Sequence, residues 1–357
     1  MKKLRNIMLI FVILVGIILI GLGLVFKIYS SPVGEDEKVE VVIDSGTSSS
    51  KIGEILKEKD LIRDTTFFKI YLKLFNVDDL KAGKYELNKN MSLEEIVNLL
   101  KEGNNYNENE ISLIFREGIN MRKVASIIAA NTNNTEDDVY SLLNNKEYLQ
   151  SLIDEYWFIT DDILDSKLYY SLEGYLFPDT YRFMSKDVKV DEIFNKLIKK
   201  MDSVLTPYKD KIEKSKFSVH ELLTLASMAE LESRDVKDYR LNVVSVFVNR
   251  LNKKMSLGSD VTTRYSLKID DAKKVLTKSQ YNTANAYNTR SESLAGKLPA
   301  GPIGMVSESS IKASIEYPET EYLYFIANIN TGETFFYKDY NDFLKKKNEL
   351  SSVNGGL

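Results

Sequence analysis

Hydrophobic and polar positions change their period several times along the chain. Residues 7–26, "IMLIFVILVGIILIGLGLVF", show no polar period at all. At about 1.5 Å per residue this uncharged run matches the roughly 30 Å hydrocarbon core of a bilayer. A transmembrane helix is expected over 7–29, with residues 1–6 as a cytoplasmic tail and 30–38, "SSPVGEDEK", as a short tether. The run is longer than the roughly 7–15 residues of a signal-peptide core, and Lys27 with "YSSP" follows it rather than a small-residue cleavage site. Lys2, Lys3 and Arg5 precede it, which holds the N-terminus in the cytoplasm and sends the rest of the chain across the membrane.

From Val39 the period shortens to two in "VEVVID", a strand, and then lengthens. "SGTSSSKIGEILKEKDLI" gives a turn and an amphipathic helix with Ile52, Ile55 and Leu56 on one face. "LKAGKYEL" is a second strand after a glycine turn. In "MSLEEIVNLLKEG", Ser92 and Glu95 have the spacing of a capping box and Gly103 stands where a C-cap belongs. These elements make a small α+β module over 39–104, followed by a linker, "NNYNENE", Asn104 to Glu110.

A larger α+β domain is expected over 108–350. It opens with a strand, "EISLIFREG", and a helix, "NMRKVASIIAAN". "SLEGYLFPDTYRF" then gathers aromatic residues around Pro178, either as core or as a surface for sugar rings, which present apolar faces and hydroxyl edges. A helix runs from an N-cap at Ser218, boxed by Glu221, to about Ser233. "RLNVVSVFVNRL" reads as an amphipathic second helix, and "LGSDVTTRYSL" supplies hydroxyls and Asp260. "AYNTRSESLAGKLPAGPIG" is a loop whose shape depends on hydrogen bonds to its own backbone. "EYLYFIANINTGETFFY" is a hairpin turning at Asn-Thr-Gly.

The helix "LASMAELES" places Glu230 and Glu232 where a core wants leucine. At about 100° per residue, Leu222, Leu225, Ala226 and Ala229 form its apolar face, and the two acids stand on opposite shoulders. Both cannot face one site. One suits catalysis and the other an ion pair or solvent, and periodicity does not decide which. An ionised carboxylate buried without a partner is costly, so such a residue is paired, protonated or functional.

Composition narrows the chemistry. There are no cysteines, which excludes disulfides, thiolate nucleophiles and cysteine-zinc sites. The single histidine, His220, excludes a multi-histidine metal cluster, leaves a Ser-His-Asp triad nowhere else to rest, and reads as the start of a helix. Setting aside Lys2, Lys3, Arg5 and Lys27, the remainder carries 44 basic against 52 acidic residues, a charge of −8. Nucleic acid is not the expected partner.

Several motifs in order, "EGYLFPDTY", "ASMAELES", "VFVNRL", "SDVTTRY", "YNT", "LPAGPIG" and "YLYFIA", resemble the endolytic murein transglycosylases of the YceG-like family. The N-terminal anchor and small module fit that resemblance, which implies that the module is LysM-like and that the larger domain carries a lysozyme-like catalytic helix. The family helix usually reads Ala-Ser-Ile-Val-Glu-Lys-Glu, which implies Glu232 as catalytic residue, with Glu230 as the alternative. Two loops depart from the pattern: "SDVT" stands for Thr-Asp-Pro-Thr and "LPAG" for Leu-Pro-Pro-Gly, each losing a proline while keeping its polar groups. The resemblance implies cleavage of the β-1,4 bond between N-acetylmuramic acid and N-acetylglucosamine in nascent glycan strands. The muramic C6 hydroxyl attacks its own C1 to leave a 1,6-anhydro end, and one glutamate serves as acid and then base. Ser233, Asp260, Thr262, Tyr265 and Asn288 are implied as substrate-binding, and Tyr175 and Tyr181 as glycan contacts, with no metal or cofactor. The partners implied are peptidoglycan strands and the cell-wall synthases of division or elongation, with the catalytic domain outside the membrane. Two rival readings are a non-catalytic glycan-binding scaffold for those synthases and a hydrolase with Asp260 as second carboxylate.

Overall fold

The computed structural model describes residues 2–44, 46–103, 109–233, 237–271 and 274–353, without the side chains of 2–13, 15, 18, 237 and 238. The chain is α+β and divides into two compact units, Met1–Glu110 and Ile111–Leu357. Of the expected linker, residues 104–108 lie outside the described residues.

The first unit begins with α1 (Lys2–Ser30). Among the described residues no helix is long and apolar enough to cross a membrane, and the side chains of residues 7–13, 15 and 18 of the expected span lie outside them. Strand β1 (Lys38–Ile43) pairs antiparallel with β2 (Gly83–Asn88), Val41 opposite Tyr85. Between them lie α2 (Ser49–Glu58) and α3 (Thr65–Leu74), capped by the side chains of Ser48 and Asp64. After β2 comes α4 (Leu93–Glu102), with the Ser92–Glu95 capping box formed and Gly103 at φ 71°, the left-handed turn that glycine adopts without a Cβ clash. Alternation places Val41, Ile43, Tyr85 and Leu87 inward against Ile52, Leu56, Phe68, Ile96 and Leu100, a core belonging to this unit.

The second unit pairs β3 (Ile111–Ile114) with β4 (Thr180–Phe183), antiparallel, Leu113 opposite Tyr181. Helices α5 (Met121–Asn131), α6 (Glu136–Leu143) and α7 (Lys146–Glu155) lie between these strands in sequence. Then follow α8 (Val190–Leu205), a short α9 (Lys209–Glu213), α10 (Val219–Ser233) and α11 (Lys237–Asn252). Short helices α12 (Asp260–Ser266) and α13 (Lys278–Asn282) precede the long loop, which leads to α14 (Glu308–Glu316), the hairpin β5 (Tyr324–Ala327) with β6 (Thr334–Tyr337), and α15 (Tyr340–Glu349).

Two hydrophobic clusters fill this unit. One joins α5 to α8 through Val124, Ile128, Phe194 and Leu197, and the other joins α10 to α11 through Leu225, Met228, Val244 and Phe247. Helix α11 departs from the amphipathic expectation: Arg240 and every residue from Val243 to Val248 are buried, because α10, α14 and β5 all pack on it. A helix enclosed on several sides loses the polar face that periodicity would otherwise show.

Candidate active site

Helix α10 begins as its sequence directs: Glu221 accepts from the Ser218 N–H at 2.9 Å, and the Ser218 hydroxyl accepts from the Glu221 N–H at 3.2 Å. From Leu222 to Glu230 every residue is buried. The polar ones are satisfied locally, Thr224 Oγ1 donating to the His220 carbonyl at 2.7 Å and Ser227 Oγ to the Thr224 carbonyl at 2.8 Å. Ser227 Oγ also accepts the Ile303 N–H at 3.1 Å, which ties the long loop to the helix. His220 adds a second tie, between the Tyr175 hydroxyl at Nδ1 and the Ala300 carbonyl at Nε2, both 2.9 Å. That is an imidazole occupied at both nitrogens, in a structural role.

The two glutamates part company at the end of this helix. Glu230 is 5 % exposed and paired with Arg240 Nη2 at 2.6 Å. Its other oxygen accepts the Ser307 N–H at 2.9 Å and the Ser307 hydroxyl at 2.5 Å. Ser307 is the N-cap of α14, so this carboxylate rivets α10, α11 and α14 together. Glu232 points elsewhere. It is partly exposed and accepts one hydrogen bond, from Ser259 Oγ at 2.6 Å, at the N-cap position of α12. Burial of the carboxyl raises its pKa; the Ser259 bond opposes that, the Asp260 charge adds to it, and Arg290 and Arg250 oppose it. A carboxyl held toward its protonated form, with one hydroxyl contact and an open edge, is equipped to give up a proton and take it back.

The other residues singled out in the sequence fall into two groups. Asp260 and Ser233 lie near Glu232: Asp260 opens α12, is paired with Arg290 and is partly exposed, and Ser233 closes α10 with its hydroxyl buried and without a partner among the described residues. The rest are enclosed. Thr262 and Asn288 have no exposed surface; Thr262 Oγ1 donates to the Ser259 carbonyl at 2.7 Å and bonds Thr289 Oγ1 at 2.8 Å. Asn288 donates to the carbonyls of Thr283, Tyr281 and Gln280 at 2.8, 3.0 and 3.4 Å and accepts Thr263 Oγ1 at 2.7 Å. Tyr175 is fully buried against His220, and Tyr181 sits in β4 with its hydroxyl on the Phe177 carbonyl at 2.8 Å. These residues shape the loops and leave no face for a sugar ring to cover.

Tyr265 leads to a residue that sequence reasoning passed over. Its hydroxyl donates to Glu173 Oε2 at 2.9 Å, and the Met121 N–H at the start of α5 donates to the same oxygen at 3.0 Å. Glu173 is 2 % exposed, and burial pushes its carboxyl up to about 7, against the two hydrogen bonds and the Arg122 charge. The signal available was an acid inside an aromatic run, "LEGYLF", followed by Gly174 at φ 79°, where a Cβ would collide with Pro302. Arg240 was also missed; its partner lies ten positions earlier on another helix.

Two cavities flank the end of α10. One, of about 870 Å³, is lined by Glu230, Arg240, Ser307, Arg116 and Phe177, and the other, of about 200 Å³, by Val261, Arg264, Tyr265 and Asp270. Both include Gly118 and Leu231, the residue between the two glutamates. Both cavities thus border the turn between the two glutamates.

A sequence pattern of the YceG-like family matches residues 41–349. A Bacillus subtilis (strain 168) protein named endolytic murein transglycosylase is 36 % identical over 339 residues, covering 94 % of this chain and 91 % of its own. A protein of the same name from Streptococcus pneumoniae (strain D39) is 28 % identical, covering 89 % of this chain but 59 % of its own. A crystal structure of a yceG-like protein from Listeria monocytogenes superposes with a TM-score of 0.61 at 34 % identity, over 88 % of this chain and all of that one. With the match running from the first strand of the small module to the last helix of the large one, the chain belongs to the YceG-like family.

Proposed function

We propose that this chain is an endolytic murein transglycosylase with Glu232 as its single acid and base. The observation that carries the reading is the contrast between the two acids of α10: Glu230 is consumed by Arg240 and Ser307, while Glu232 keeps a raised pKa, one hydroxyl partner and an open edge. Protonated Glu232 gives its proton to the glycosidic oxygen as the bond to C1 of N-acetylmuramic acid breaks. The carboxylate then takes the proton of the C6 hydroxyl as that oxygen closes on C1, leaving a 1,6-anhydro end. No water and no second carboxylate enter. Asp260 and Arg290, paired beside Glu232, and the buried Ser233 hydroxyl border the place where the sugar must sit. The small module is LysM-like, and residues 7–29 anchor the chain with its larger unit outside, where nascent strands leave the synthases and cutting ends their growth.

Mass spectrometry of the products from uncrosslinked glycan strands tests the chemistry. Anhydro-muramic ends made by the full chain, and lost in Glu232→Gln, are expected. Reducing-end muramic acid in their place would overturn the transglycosylase reading in favour of a hydrolase using Asp260, and intact strands would leave only a binding scaffold.

A further inference from the structure

Helix α3 has two apolar faces. Phe68, Tyr71 and Leu72 enter the core of the first unit, yet Ile70 and Leu74 on the opposite face are 56 % and 62 % exposed, and Phe75 just beyond is 53 % exposed. Large apolar side chains grouped on one surface call for a cover. The same face carries the exposed Lys69 and Lys73, and α3 contains no acidic residue; Asp64 caps its far end.

The position of this face identifies the cover. Phe26, the last residue of the apolar run, meets Phe67, Tyr71 and Phe75 with ring centroids 5.6, 6.1 and 6.2 Å away, and Tyr29 meets Phe67 at 5.3 Å. This aromatic cluster joins α3 to α1 where Lys27 interrupts the apolar sequence. Leu22, Leu24 and Ile28, around Phe26 on α1, are themselves exposed. Aromatic rings beside lysines, at the end of an apolar helix, have the chemistry of the bilayer interface: rings sit at headgroup depth and lysines extend toward anionic phosphates.

We propose that the outward face of α3, Ile70 and Leu74 with Lys69 and Lys73, lies in the headgroup layer of the bilayer that α1 enters. This rests on the reading of residues 7–29 as an anchor, and it makes the small unit a second membrane contact. The unit is thereby fixed in orientation against the lipid instead of turning freely on a single helix.

The absence of cysteine allows a direct test. Full-length chain is reconstituted in vesicles of phosphatidylcholine and phosphatidylglycerol, with one environment-sensitive fluorophore on Leu74→Cys, Glu58→Cys or Leu14→Cys. Lipids brominated near the headgroup should remove most of the Leu74 signal and leave that of Glu58, which is exposed on α2; deeply brominated lipids should quench Leu14. Quenching at Leu74 but not Leu14 would support the α3 contact while rejecting the anchor. Quenching at Leu14 with Leu74 open to aqueous iodide would reject the α3 contact and keep the anchor. A Leu74 label shielded from both iodide and bromine would assign the face to a protein partner and overturn the proposal. Lys69→Glu with Lys73→Glu should weaken the Leu74 quenching and leave that of Leu14 unchanged.

Discussion

At Glu232 the difference between glutamate and glutamine is one transferable proton, and the surroundings of the carboxyl are arranged to keep that proton available. Glu232→Gln retains the acceptor for Ser259, so the fold should survive while turnover falls by about 10²–10⁴-fold or more, read as anhydro-muramic product with circular dichroism as control. Glu230→Gln should do the reverse. It removes one charge of the buried Glu230–Arg240 pair, an effect of up to roughly 3–5 kcal/mol on stability, while activity per folded molecule is largely kept at low temperature. Thermal denaturation and product release, measured on both variants, separate the two roles. A Glu230 variant with native stability and no activity would exchange them. Sequence periodicity placed these acids on opposite sides of the helix, and that divergence holds. What it lacked was the identity of the partners, since Arg240 lies on the next helix and Ser307 is 77 positions away.

At the scale of elements, features decided within four residues were legible and features decided across the fold were not. The capping boxes at Ser92 and Ser218, the left-handed Gly103 and the β5–β6 hairpin follow from local chemistry, whereas β1 meets β2 and β3 meets β4 across long stretches of chain. The burial of α11 on nearly all sides, and the use of Asn288, Thr262 and Tyr265 as internal braces, depend on neighbours distant in sequence. Glu173 is the clearest case, joining α5 to α12 through one oxygen. Its carboxyl is raised from the usual carboxylate range to about 7, so the folded state holds the proton more tightly than the unfolded chain does. That makes its contribution most favourable below pH 4.5 and progressively less so as pH rises toward 7, by an amount on the order of a few kcal/mol. Glu173→Gln should therefore flatten the fall in melting temperature over that interval. Asn288→Ala should open the loop over 286–304, since three carbonyls lose their donor. Limited proteolysis under native conditions would report new cleavage there, with a rise in KM for glycan strands.

At the scale of the whole molecule, the proposed chemistry and the proposed membrane placement belong to different units. Protease added outside cells with an opened wall should degrade everything beyond about Ser30, and a protected large unit would reject the proposed topology. Freeing the chain from the membrane at native abundance should preserve cleavage of soluble strands but release control of strand length. The core around Tyr85 and Leu56 is complete within the first unit, as are those around Phe194 and Phe247 within the second. Self-contained cores are what recombination can cut between without wrecking either part. The Streptococcus relative, of which the match covers 59 %, carries further chain beyond the matched length. Lineages can thus change what surrounds the catalytic unit, and so where along a growing wall it works, while inheriting the cutting chemistry unaltered.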